Sequence, residues 1–139
     1  MGTVPIPTRT PTNLTLTTGG GPLTATPAQC LSALFVCNTV NAQTLNLPTA
    51  ALLNAAIPSC AQGAAFDMKF VNTGVSTLTI AAGAGGTAAT GSNSKSTVLT
   101  VATLSGLELT IIVTGVLKNG DPSDSYIVYG LGSTAAAVA

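Results

Sequence analysis

Charge is the scarcest property of this chain. Four basic and four acidic residues among 139 make 6% charged, against about 25% in an ordinary domain, and the formal net charge is zero. Histidine and tryptophan are missing, and the aromatic residues are three Phe and two Tyr. Without histidine, neither a Ser-His nor a Cys-His nucleophile pair can be built, which removes the commonest hydrolase designs. The charges (Arg9, Lys69, Lys95, Lys118, Asp67, Glu108, Asp121 and Asp124) are scattered singly. They give no basic stripe to follow a phosphate backbone, so no nucleic-acid partner is expected. Long apolar runs are also lacking: stretches such as 50–57 and 110–117 fall well short of the roughly 20 residues that span a bilayer. No membrane role is expected, and the first residues carry neither a signal-peptide pattern nor a myristoylation pattern, since Ile6 stands where Ser or Thr is required.

What is present is 46% apolar residue, mostly Ala, Val, Leu and Ile, with Thr as the commonest polar partner. Small and β-branched side chains suit a pleated, half-buried surface. A chain of this length can bury roughly two thirds of its unfolded surface without a metal or a disulfide. Zero net charge leaves little to hold identical copies apart. The composition therefore points to a non-enzymatic structural protein that works as an oligomer and needs no cofactor. Cys30, Cys37 and Cys60 have no metal-type spacing. They read either as small buried hydrophobes or as one disulfide, Cys30 with Cys37 or Cys60, plus a free thiol.

Along the chain, residues 1–12 hold Pro5, Pro7 and Pro11 between Thr, Val and Ile. Each proline fixes φ and deletes a backbone donor, so an extended arm is expected, with Val4 and Ile6 as apolar pegs. Residues 13–131 form the expected domain. Residues 13–18 alternate Leu14 and Leu16 with Thr, the period of a half-buried strand. Strands are expected over 31–38 and 43–47, although 28–36 also suits a short helix. Residues 49–57 give the one clear helix signal: Thr49 as cap, Leu52, Leu53 and Ile57 near one face, and Pro58 as stop. Further strands are expected over 64–72 (Phe66, Met68 and Phe70 inward), 76–82 (Leu78, Ile80), 97–104 (Leu99, Val101), 107–114 (Leu107, Leu109, Ile111, Val113) and 125–130 (Tyr126, Val128). Short strands at intervals of about ten residues with Gly-rich turns indicate an all-β, antiparallel sandwich or jelly-roll-like barrel. Residues 83–94 lack apolar periodicity and read as a long exposed loop. Residues 132–139 read as a small apolar tail.

The motifs resembling chemistry fail on spacing. The glycines at 83, 85 and 86 follow a strand, but no helix opens after them to hold a pyrophosphate. Gly86 and Gly91 have phosphate-loop spacing, yet Lys95 stands four residues too late to meet the same phosphates. Asp67 and Lys69 share a strand face and could form a surface ion pair. Asp121 and Asp124 flank a turn, where ordinary turn chemistry accounts for both, the alternative being a weak Ca²⁺ site completed by carbonyls. Asn13-Leu14-Thr15 fits a glycosylation pattern but has no secretory signal beside it. Tyr126 and Tyr129 fall on opposite strand faces and make no stacking platform.

The run 47–58, then Gly63, the strand Phe66-Asp67-Met68-Lys69-Phe70-Val71 with its Asn72-Thr73-Gly74 turn, and Leu78-Thr79-Ile80-Ala81-Ala82-Gly83 resemble a pattern in small virion surface proteins of tailed phages and related large DNA viruses. These include capsid decoration (cement) proteins and head-fibre modules. The resemblance spans roughly residues 45–130. It implies a β-rich homotrimer seated on the capsid surface of a virion, partnered by the major capsid protein or other virion proteins. It also implies an arm, here Val4, Pro5, Ile6, Pro7, Arg9 and Pro11, reaching along the shell. The alternative is a receptor- or glycan-binding fibre module that presents the loop around Gly85, Gly86, Gly91, Asn93 and Lys95. The cysteines depart from the pattern of such proteins.

Overall fold

The structure, a computed structural model, describes residues 12–16, 23–32, 34–89, 95–96, 98–117 and 123–135. The expected arm, Val4 to Pro11, lies outside the described residues, as do Gly91 and Asn93 of the expected loop. Among the described residues, eleven strands and two helices follow in the order β1 (Thr12–Leu16), β2 (Leu23–Thr24), α1 (Pro27–Ser32), β3 (Leu34–Thr39), β4 (Gln43–Asn46), α2 (Ala50–Ala56) and β5 (Ala65–Asn72). Then come β6 (Leu78–Ala81), β7 (Gly86–Ala89), β8 (Lys95–Ser96), β9 (Val98–Val101), β10 (Ser105–Gly115) and β11 (Ser125–Ala135).

The strands form two mixed sheets: seven in the order β1-β3-β5-β10-β11-β7-β8, and four in the order β2-β4-β6-β9. Through its first half the chain alternates between the sheets, odd strands in one and even strands in the other. Each strand then lies parallel to the strand two before it: β1, β3 and β5 in the large sheet, β2, β4 and β6 in the small one. The chain thus winds like three turns of a coil. Only from β9 onward do antiparallel neighbours dominate, with β9 on β6, and β10 between β5 and β11. Of the expected all-β, antiparallel sandwich or jelly-roll-like barrel, the β class holds, and the antiparallel order and barrel closure are corrected: the fold is mostly β with two mixed sheets, neither closed on itself among the described residues. The physical reason is the connection: a strand that reaches its neighbour through a segment of the other sheet returns in the same direction, which a hairpin cannot do.

One apolar cluster draws on both sheets. Phe35, Cys37, Met68, Phe70, Leu109, Ile111, Tyr126 and Val128 come from the large sheet, and Leu45, Leu78, Ile80, Leu99 and Val101 from the small one. Phe35 and Phe70, paired in register across β3 and β5, stack with ring centroids 4.7 Å apart. The expected inward residues of β5, β6, β9, β10 and β11 are buried, apart from Phe66, which is half-buried. α2 starts on Thr49, whose hydroxyl accepts from the Leu52 N–H at 3.3 Å, and ends at Ile57. Leu53 is buried, but Leu52 points outward, 58% exposed, so these two leucines do not share a face as expected.

A second helix, α1, takes up the first part of the 28–36 segment that also suited a short helix, and the strand expected over 31–38 begins at Leu34. The cap of α1 is reciprocal: the Gln29 N–H donates to Thr26 Oγ1 at 3.2 Å, and the Thr26 N–H to Gln29 Oε1 at 2.8 Å. Two donors that the helix end would leave unpaired are thereby satisfied, with Pro27 in the first helical position, where its missing N–H costs nothing. The expected loop over 83–94 is strand at Gly86–Ala89, because β7 lies parallel to Tyr126–Tyr129 of β11. The expected tail boundary at 132 falls inside β11. After an irregularity opposite Glu108, β11 resumes pairing at Ser133, Thr134 and Ala135 with Leu107, Gly106 and Ser105.

Candidate functional site

Three places on the molecule combine exposed or unpaired groups with a fixed scaffold. The first is the outward face of the large sheet. Alternation along β3, β5, β10 and β11 turns Leu34, Val36, Val71, Ile112, Ile127 and Tyr129 away from the core. Register sets them side by side: Val36 beside Val71, Ala65 beside Ile112, Ile112 beside Ile127, and Thr110 beside Tyr129. Three charges interrupt this face. Lys69 stands opposite Glu108, and Asp67 accepts a hydrogen bond from Thr110 at 2.7 Å, across the strand pair rather than along the strand towards Lys69. Val71 is 39% exposed and Tyr129 42%.

The second place is where β7 meets α2 and β11. Gly85 adopts φ of +81°, a region that favours glycine, and a Cβ there would lie 2.8 Å from both the Ala50 methyl and the Asp124 carbonyl oxygen. Gly86 lies against the Tyr126 ring, leaving a Cβ 2.3 Å from the ring carbon that bears the hydroxyl. That hydroxyl donates to the Pro48 carbonyl at 2.9 Å and accepts from the Gly83 N–H at 2.9 Å. Burial pushes its pKa from 10.0 up to about 12, the Gly83 hydrogen bond acting in the opposite direction. Gly85 and Gly86 therefore hold the end of β11 in place. Lys95 pairs its backbone with Ala89 in the β7–β8 ladder.

The third is a groove of about 460 Å³ between the outward end of α2, the turn that follows it, and the strand ends at Val116, Leu117 and Asp124. Asn54 of α2, 6% exposed, donates from Nδ2 to the Gly115 carbonyl at 2.9 Å and to Asp124 Oδ1 at 2.8 Å. The Leu117 N–H also donates to that Oδ1, at 3.3 Å. Asn54 Oδ1 is shielded from solvent and has no hydrogen-bond partner among the described residues. An acceptor left so costs about 1–3 kcal/mol. Cys60 lines the same groove. Burial and then the nearby Asp124 carboxylate raise its thiol pKa.

All three cysteines are free thiols, which removes the disulfide alternative. Cys30 and Cys37 are wholly buried, and desolvation pushes their pKa values from 9.0 up to about 12 and about 11. They pack as hydrophobes. Of the expected turn pair, Asp124 is held by the bonds above and Asp121 lies outside the described residues. The charge count alone gave no sign of the Asn54–Asp124 pair. The available signal was a polar residue on the helix between the inward Leu53 and the small Ala55.

Comparisons with protein families, with curated proteins and with solved structures find no match for this chain. Function is therefore argued from the three places just described.

Proposed function

We propose that this chain is a structural subunit which acts by assembly: a sandwich-like β protein that forms a homotrimer and decorates a viral capsid. The observation that carries the reading is the outward face of the large sheet. Its larger apolar side chains stand side by side at the two ends of the face, Val36 with Val71 and Ile112 with Ile127, with Lys69, Glu108, Asp67 and Thr110 between them, in a molecule whose net charge is zero. Monomers usually guard such surfaces with charge. In a threefold assembly a charge near the axis would face its own copies in a desolvated environment, which is costly, whereas Thr, Val, Ile and Ala meet their copies without that cost. Binding only to the assembled shell would stabilise the shell by mass action, and the arm, Val4 to Pro11, would supply part of the contact with the major capsid protein.

Light scattering at micromolar concentration tests the assembly step. A molar mass three times the 13.6 kDa of the chain is expected, and a monomer would overturn it. Removing residues 1–11, which leaves β1 whole, tests the arm. The trimer should persist while co-sedimentation with capsids is lost, and retained co-sedimentation would count against an arm-mediated contact.

A further inference from the structure

The groove beside α2 differs in chemistry from the rest of the surface. Ile57, Pro58, Val116 and Leu117 give it apolar walls, and its polar groups converge from three separate parts of the chain: Asn54 of α2, Cys60 of the following turn, and Asp124 ahead of β11. About 460 Å³ lies within the usual range of small-ligand sites, roughly 300–1,000 Å³. Of its side-chain oxygens, those of the Asp124 carboxylate accept only, while the Ser59 hydroxyl both donates and accepts. Asp124 is a carboxylate held in place by two donors on one oxygen, and among the described residues no hydrogen bond reaches its other oxygen. No basic side chain lines the groove among the described residues.

We propose that this groove is a binding site for a primary ammonium group carried on a short apolar chain, with the free carboxylate oxygen of Asp124 accepting its N–H and Ile57 and Leu117 flanking its methylenes. The complementarity is specific. A compact cation donates a charge-assisted hydrogen bond to a carboxylate, whereas an anion would meet Asp124 with like charge. A neutral alcohol of the same length offers a single donor and no charge. This goes beyond an assembly role: a trimer or a decorated shell needs no such pocket, and the site stands or falls independently of oligomeric state. The same chemistry is found in a free alkylamine and in a lysine side chain, and the probes separate the two.

The experiment is a titration of the ¹⁵N-labelled full chain with n-pentylammonium, with 1-pentanol, and with Nα-acetyl-lysine N-methylamide. The side-chain amide of Asn54 and the N–H of Leu117 are followed by NMR, and the alkylation rate of Cys60 by N-ethylmaleimide. Cys30 and Cys37 are buried, so the folded protein reports through Cys60. With n-pentylammonium, saturable shifts at both groups and at least a fivefold slowing of alkylation are expected, with 1-pentanol at the same concentration having no effect. A response to the lysine derivative as well assigns the site to a lysine-bearing partner; a response to the alkylamine alone assigns it to a free amine. Asp124→Asn keeps an acceptor for the Leu117 N–H and should weaken n-pentylammonium binding at least tenfold. Should that variant not fold, Leu117→Lys places a competing ammonium at the exposed wall and should block the site. No shift with n-pentylammonium, an equal response to 1-pentanol, or undiminished binding in the folded variants would overturn the proposal.

Discussion

At the scale of single residues, close approach of backbones sets the strictest limits. Gly74 follows β5 with its backbone against Thr39: a Cβ there would lie 2.1 Å from the Thr39 nitrogen and 2.3 Å from its carbonyl oxygen. Around it, Asn72 Oδ1 accepts from the Gly74 N–H at 3.0 Å and from the Thr39 hydroxyl at 2.9 Å. Asn72 Nδ2 reaches the carbonyls of Ser76, Val101 and Ala102. One amide thus ties the end of β5 in the large sheet to the end of β9 in the small one. Gly74→Ala forces backbone apart where neither side can yield and should lose more than about 3 kcal/mol in urea unfolding. Tyr126→Phe leaves the Gly83 N–H and the Pro48 carbonyl without their partner and should cost about 1–3 kcal/mol. The buried Tyr126, Cys30 and Cys37 also set the response to base. Each has its folded pKa raised above its ordinary value of 9.0 or 10.0, so the folded state holds its proton where the unfolded state has lost it. Their contribution is full below about pH 9 and is lost as pH rises through the folded values of about 11 and about 12. Unfolding free energy followed against pH should be level near neutrality and fall steadily from pH 9 to 12. A rise over that interval would contradict the burial of these groups.

At the scale of elements, α2 shows how far patterning carries. The Thr49 cap and the proline stop were legible, because a capping hydroxyl and a missing N–H act locally. The inward face was not, because two turns of helix with Ala at most positions fix no unique stripe. The fold chose Leu53 and Asn54, leaving Leu52 in solvent. Leu53→Ala should therefore cost about 2–5 kcal/mol by opening a cavity, whereas Leu52→Lys should stay within about 0.5 kcal/mol; equal losses would put the wrong leucine in the core. Strands β5 and β10 were legible for the opposite reason: a period of two over eight or more residues separates Met68 and Phe70 from Lys69 and Val71 without ambiguity. Neighbour order and direction were not. Alternation states which face is buried and is silent on whether the next strand lies parallel or antiparallel, so the coil of β1 to β6 and the parallel place of β7 beside β11 emerge only in three dimensions. Helix α1 was open as an alternative over 28–36, and Thr26 and Gln29, spaced as a capping box around Pro27, are the local signal that decides for it.

At the scale of the whole molecule, the shortage of charge and the outward face of the large sheet bear on the same question. The sequence suggested association from composition alone and gave no location. The structure offers a candidate face, where Val36 pairs with Val71, Ile112 with Ile127 and Tyr129 with Thr110, and where Asp67, Lys69 and Glu108 stand between the two apolar pairs. If assembly uses this face, charge introduced at its most exposed apolar positions must oppose assembly without touching the core. Val71 and Tyr129 are such positions: both are more than one third exposed, and both alternate with buried neighbours that remain unchanged. The double variant Val71→Lys and Tyr129→Lys would place six new cations at the interfaces of a trimer, where like charge in a desolvated contact is costly. In the monomer each new lysine extends into water. Light scattering should then give a mass close to 13.6 kDa, with the circular dichroism and the urea midpoint of the monomer little changed. A trimer that survives both substitutions would move the interface off this face, to the sheet edges at β1 and β2 or to the helices, and the registered apolar pairs would need another reason to exist.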